Sequence, residues 1–178
     1  MNLDSISTPK HLNLLIAFAD IQGFAGVAEK LPESLELFAF LKKWADLCTD
    51  TVEARGGRIL KFIGDSFLSI FPEDGVDAGV MALLAAKRES EKHFLENGFS
   101  SKLRITVHFG EVAIGPMGKG NGKKVDIIGK EVNVAALLGH GEHRGRVIIS
   151  PQVFRHLSAE TRKLFHKYTP PIVYLAGN

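Results

Sequence analysis

The spacing of apolar residues changes period several times along the chain, and each change marks an element. Leu12–Asp20 reads Leu-Asn-Leu-Leu-Ile-Ala-Phe-Ala-Asp, an almost unbroken apolar run that predicts a central strand covered on both faces. It closes at Asp20, and Ile21-Gln22-Gly23-Phe24 turns the chain into a short helix. Pro32-Glu33-Ser34 opens a longer one, with proline early and acid in the first turn, where the helix dipole favours it. Leu35, Phe38, Leu41, Ala45, Cys48 and Val52 step by three or four, predicting one buried face. Gly56-Gly57 stops this helix. Two β runs follow, Ile59–Ile63 and Ser66–Phe71, joined by a tight Gly64-Asp65 turn.

Pro72-Glu73-Asp74 starts a second long helix, with Val76, Val80, Leu83 and Leu84 inward and a charged tail over Lys87–Glu96. Lys102–Phe109 then alternates, Leu103, Ile105, Val107 and Phe109 on one side and Arg104, Thr106 and His108 on the other. Gly110–Gly115 continues as a second strand, and a loose basic turn, Gly118–Gly122, leads to a strand at Lys124–Ile128. Gly129 begins a helix carrying Val132, Ala135, Ala136 and Leu137, which breaks over Gly139–Gly145. Val147–Ser150 reads as a strand, Ser150-Pro151 caps a short helix to Leu157, and Pro171–Leu175 makes a last strand. Hairpins mixed with helices, rather than strict βαβ alternation, predict an α+β sheet with helices mainly on one face. Without repeats or a linker, residues 1–178 read as one domain.

Composition narrows the function little. A 45% hydrophobic chain of 178 residues is long enough for a proper core. A net charge of +2 excludes the strong basic field of a dedicated nucleic-acid binder. The single cysteine, Cys48, forms no internal disulfide and points to a reducing cytoplasm. The polar opening does not read as a signal peptide, and no apolar run approaches the ~20 residues of a membrane span.

Several polar residues are out of place for plain structure. Asp20 closes the first strand and Asp65 stands at the hairpin turn. First and third strands of a β-α-β-β unit are usually neighbours, which brings both acids to one sheet edge. Paired carboxylates repel unless a cation or shared proton intervenes, and oxygen ligands without His or Cys suit Mg²⁺ or Mn²⁺. The plain alternative is an N-cap and an ordinary turn aspartate. Lys61 lies between Ile59-Leu60 and Phe62-Ile63, so its ammonium serves a ligand, a partner chain or water, or guards a strand edge. Asp126 interrupts an apolar strand, and Asn133 is a poor helix former. Both fit a hydrogen-bonding task or a polar pair serving the fold alone. His140 and His143 have metal-like spacing, but with no further His or Cys nearby they read as a solvated loop.

Phe18-Ala19-Asp20-Ile21-Gln22-Gly23-Phe24, Gly56-Gly57 through Lys61-Phe62-Ile63-Gly64-Asp65, and Asp126-Ile127-Ile128-Gly129 through Val132-Asn133-Val134-Ala135 together resemble, in order and spacing, the class III nucleotidyl cyclase catalytic domains. The resemblance covers about residues 12–175. It implies a ferredoxin-like, palm-type β-α-β-β-α-β core with extra C-terminal strands and a helix. By that resemblance Asp20 and Asp65 bind two divalent ions, Mg²⁺ or Mn²⁺, with the Ile21 carbonyl as a further ligand. Lys61 and Asp126 read the purine; this pair complements adenine, whereas guanine-selective members carry Glu and Cys there. Asn133 orients the ribose, the Gly23 and Phe24 amides cradle phosphates, and Lys167 matches a phosphate-contacting lysine at shortened spacing. The family's sites form between two chains of a head-to-tail dimer, the aspartates from one and the purine pair and asparagine from the other. The expected reaction is ATP to cyclic AMP and pyrophosphate.

The match has gaps. A transition-state arginine belongs four residues after the asparagine, and that position is Leu137. Losing one oriented donor costs ~10²–10³ in rate, so a slow enzyme is expected. Arg144 and Arg146 lie nearest as replacements. Ala25 stands in place of a threonine, and Lys123 and Lys124 where an arginine is frequent. A catalytically inactive, cyclase-like nucleotide-binding module and a guanylate cyclase are the competing expectations.

Overall fold

The computed structural model describes residues 3, 5–138, 145–169 and 171–177. The core is a mixed sheet of β1 (Lys10–Gln22), β2 (Arg58–Ile63), β3 (Ser66–Pro72), β4 (Lys102–Met117), β5 (Lys124–Ile128), β6 (Val147–Ile149), β7 (His166–Tyr168) and β8 (Val173–Ala176). Their order is β2-β3-β1-β4-β6-β8-β7, with β5 paired to β4. β1 is antiparallel to both β3 and β4, and β4 and β6 run parallel. The β2-β3-β1-β4 half is the α+β, ferredoxin-like arrangement expected, with the first and third strands adjacent.

The helices are α1 (Phe24–Lys30), α2 (Ser34–Glu53), α3 (Val76–Glu96), α4 (Lys130–Leu137), α5 (Pro151–His156) and α6 (Ala159–Arg162). Alternation in the strands feeds two cores. Leu15, Ala17, Ala19, Phe67, Phe71, Ile105 and Val107 meet α2, α3 and α5 on one face. Leu14, Ile16, Leu68, Ile70, Val112 and Ile114 meet Ile127 of β5 and Ala135 of α4 on the other. The helices therefore lie mainly on one face, as expected, and α4 alone among the described helices covers the second, where Thr106 and His108, on the polar side of the β4 alternation, are buried.

Other elements depart from the pattern in detail. The buried stripe of α2 is Phe40, Trp44, Cys48 and Val52, while Leu35 and Phe38 are 84% and 66% exposed. The i+4 row bearing Trp44 wins because Trp44 packs against Phe67 and donates through Nε1 to Ser90 Oγ of α3 at 3.0 Å. The same contact explains why the charged tail of α3 is not a solvated face: Ser90, His93 and Phe94 point into the α2–α3 seam. β1 runs two residues beyond Asp20, and β4 is one sixteen-residue strand where two were expected. The last strand starts later than predicted, at Val173, and pairs with β7, which the pattern does not announce.

Candidate active site

Near the end of β1, Asp20 sits opposite Ser66 of β3 and Arg104 of β4. Asp65 is the second residue of the two-residue turn between Ile63 and Ser66; Gly64 supplies the positive φ (60°) that such a tight reversal requires. The Ile21 amide donates to the Asp65 carbonyl at 3.1 Å, tying the strand end to the turn. Both aspartates border one cavity of about 390 Å³, together with Phe18, Ser66, Arg104, Thr106 and Ala136 of α4. Burial, reinforced by the charge of Asp20, holds the Asp65 carboxyl above the ordinary aspartate range, against the pull of a backbone hydrogen bond. That is the electrostatic situation a cation relieves. Among the described residues no three His, Cys, Asp or Glu side chains form a metal cluster. Two carboxylates still fit Mg²⁺, which takes one or two protein carboxylates and completes its shell with phosphate and water.

Arg104 is the residue that sequence reasoning missed. Its Nε donates to Asp20 Oδ1 at 2.9 Å. On an alternating strand an arginine reads as an outward residue; the signal is its register beside Asp20, which only the β1–β4 pairing reveals.

The lysine–aspartate pair forms a second pocket. The β2–β3 register slips between Ile59 and Lys61, and this bulge re-aims the lysine. Lys61 Nζ donates to Asp126 Oδ2 of β5 at 2.5 Å, and Asp126 Oδ1 accepts from the Ile127 amide at 2.9 Å. Leu60, Met117, Gly118, Gly122, Lys124 and Val125 complete a cavity of about 300 Å³. The intruding lysine of β2 is thus explained by an acid of its own chain. The carboxylate cavity and this one share no lining residue.

The remaining expected residues stand apart from both pockets. Asn133 is exposed on α4, as is Leu137 one turn later. Gly23, with φ of 84°, precedes the first turn of α1, which Phe24 opens, and Ala25 is exposed beside it. Lys167 is exposed on the outermost strand β7. Four strand steps separate it from β1, about 19 Å at the usual spacing. The Arg146 guanidinium donates to His166 Nε2 of β7 at 3.2 Å and so is engaged away from the aspartates. Lys123 follows a short 3₁₀ turn. His140, His143 and Arg144 fall outside the described residues.

This fold, with a two-carboxylate pocket on one part of its sheet and a lysine–aspartate pocket on another, defines a nucleotidyl cyclase-type catalytic domain. The chain belongs to the adenylate and guanylate cyclase catalytic domain family, whose model matches residues 6–177. An adenylate cyclase of Anabaena cylindrica is 28% identical over 155 residues, 82% of this chain and 31% of that protein. An adenylate cyclase of Streptomyces coelicolor is 30% identical over 125 residues, 70% of this chain and 29% of that protein. The chain thus spans about a third of these relatives' length. Among solved structures, the adenylyl cyclase CyaB from P. aeruginosa superposes with a TM-score of 0.82 at 20% identity, over 96% of each chain. The guanylate cyclase domain of RhGC from Catenaria anguillulae, in complex with GTP, gives 0.80 at 19% identity, over 94% of this chain and 98% of that one. Among the described residues no helix is long and apolar enough to cross a membrane.

Proposed function

We propose that the chain is a slow adenylate cyclase, working as a head-to-tail homodimer in the cytoplasm on ATP. The observation that carries this reading is the lysine–aspartate pair, Lys61 with Asp126, held together at 2.5 Å beside an open cavity. Its ammonium has two further protons to offer to adenine N1, and its carboxylate accepts from the 6-amino group. The Glu and Cys that the resemblance associates with guanine are absent from these two positions.

In this reading Asn133 orients the ribose, and the amides of Gly23 and Phe24, with Lys167 and Arg104, hold the phosphates. Asp20, Asp65 and the Ile21 carbonyl would hold two divalent ions, Mg²⁺ or Mn²⁺. Bound there, such ions acidify the ribose 3′-hydroxyl and neutralise triphosphate charge. The 3′-oxygen forms its bond to the α-phosphorus as the bond to pyrophosphate breaks in line. The protein's own part is positioning and fixed electrostatics. Because the two pockets are separate in one chain, a partner subunit would bring the purine pair of one copy to the aspartates of the other.

The test is cyclic AMP formation by the purified chain with Mn²⁺ and ATP, against an Asp65→Ala control. No product above that control overturns the proposal. Swapping Lys61→Glu with Asp126→Cys is expected to move preference from ATP toward GTP; an unchanged preference removes the purine assignment. Leu137 favours one other reading, a nucleotide-binding module without turnover, which binding in the absence of product would support.

A further inference from the structure

Beneath α4 lies a polar contact that neither pocket uses. His108 of β4 is 1% exposed, and its Nε2 donates to Glu131 Oε2 of α4 at 2.6 Å. Two residues along the same face of β4, a Cβ on Gly110 would come within 2.7 Å of Glu131 Cγ. The strand is cut back where the glutamate lies. Among the described residues His108 Nδ1 has no hydrogen-bond partner. A proton there would be a buried donor without an acceptor, so the surroundings accommodate the tautomer that donates from Nε2 to the carboxylate.

The helix it holds is short of other anchorage. α4 has eight residues and buries one apolar side chain, Ala135, with Val132 partly covered. A helix of two turns does not persist on propensity. Leu138, just past its end, packs on Ile148, Val173 and Leu175, so the Glu131–His108 bond is the anchor at the start of the helix. The same two turns carry Asn133, two residues after Glu131, and Ala136, which borders the aspartate cavity.

We infer that Glu131 and His108 are positioning residues: their partly buried bond fixes the seat of α4 and through it the aim of Asn133. The clause about Asn133 rests on the cyclase reading; the latch itself does not. A misplaced orienting group slows the chemical step more than it weakens ground-state binding. Glu131→Ala should lower kcat by ~10-fold or more with KM for ATP within ~3-fold. Glu131→Gln keeps an oxygen that accepts from Nε2 and should stay within ~3-fold of the parent rate. If Glu131 acts through Asn133, its removal in an Asn133→Ala background should cost less than ~2-fold more. Equal losses from Glu131→Ala in both backgrounds, or a Gln variant as slow as the Ala variant, overturn the inference.

Amide hydrogen exchange separates this outcome from failure of the cyclase reading. In Glu131→Ala the α4 amides after Asn133 should exchange ~10-fold faster while those of β4 keep their protection. That result supports the latch even in a chain that makes no cyclic nucleotide. Unchanged α4 exchange overturns it regardless of activity.

Discussion

Placing an arginine at Leu137 should raise the rate, and the structure sets how much else should change. Leu137 ends α4 with 59% of its surface exposed, one turn beyond Asn133, which is exposed too. Residues four apart on a helix have Cβ atoms ~5–6 Å from each other, so the new guanidinium would stand beside the amide proposed to orient the ribose. The exchange empties no core position. Arginine and leucine have similar helix propensity, and a cation in a last turn gains ~0.3–1 kcal/mol from the helix dipole. The melting temperature should therefore stay within ~2–4 °C of the parent. An oriented donor to developing charge is worth ~2.7–4 kcal/mol, or ~10²–10³ in kcat. KM should hardly move, since the donor serves the transition state alone. Initial rates of cyclic AMP formation with Mn²⁺ and ATP measure this, with Leu137→Lys as the control. A lysine brings charge without the planar fork and should recover less. If Leu137→Arg is as stable as the parent and its kcat stays within ~2-fold, the exposed face of α4 does not meet the reacting phosphate.

Two further outcomes follow from the buried titrating groups. Because burial and the Asp20 charge raise the Asp65 pKa in the fold, the folded state holds that proton more tightly than the unfolded one. Stability present at low pH is then lost as pH rises through the folded value. In EDTA, Asp65→Asn should melt above the parent at pH 7, and the gap should close as pH falls toward the unfolded value near ~4. Mn²⁺ should raise the parent's melting temperature and leave the variant's unchanged; an equal Mn²⁺ response in both removes Asp65 from the ligand set. Burial also lowers the pKa of His93, whose ring stacks on Phe40 at 4.8 Å and whose Nε2 lies 3.3 Å from the Phe40 carbonyl oxygen. The unfolded chain takes up that proton first, so stability should fall as pH drops below ~6.5. His93→Gln should flatten urea midpoints between pH 7 and 5, and an unflattened profile assigns the dependence elsewhere.

What the sequence revealed depended on whether a residue's task was local. The long apolar run of β1 and the Gly64-Asp65 turn are written in adjacent residues, and the adjacency of first and third strands followed from the element order. The buried face of α2 was not, because Leu35 and Phe38 satisfy helical spacing as well as Phe40 and Trp44 do. Only packing against Phe67 and Ser90 decides between the rows. β7 is three exposed residues, His-Lys-Tyr, that become a strand only when β8 pairs with them. Lys61 was visible as an anomaly, and only the family resemblance paired it with Asp126, sixty-five positions away. Arg104 was hidden by the regular alternation around it, since its meaning lies in the strand next door.

β1 is hydrogen-bonded along both edges, from Leu14 to Asp20, and packed against apolar layers above and below. A spine so gripped cannot slide or tilt on its own; moving Asp20 would mean unzipping the sheet. Asp20 therefore has a stationary seat. Under the proposed function, any adjustment of turnover would fall to α4, two lightly anchored turns that border the same cavity through Ala136.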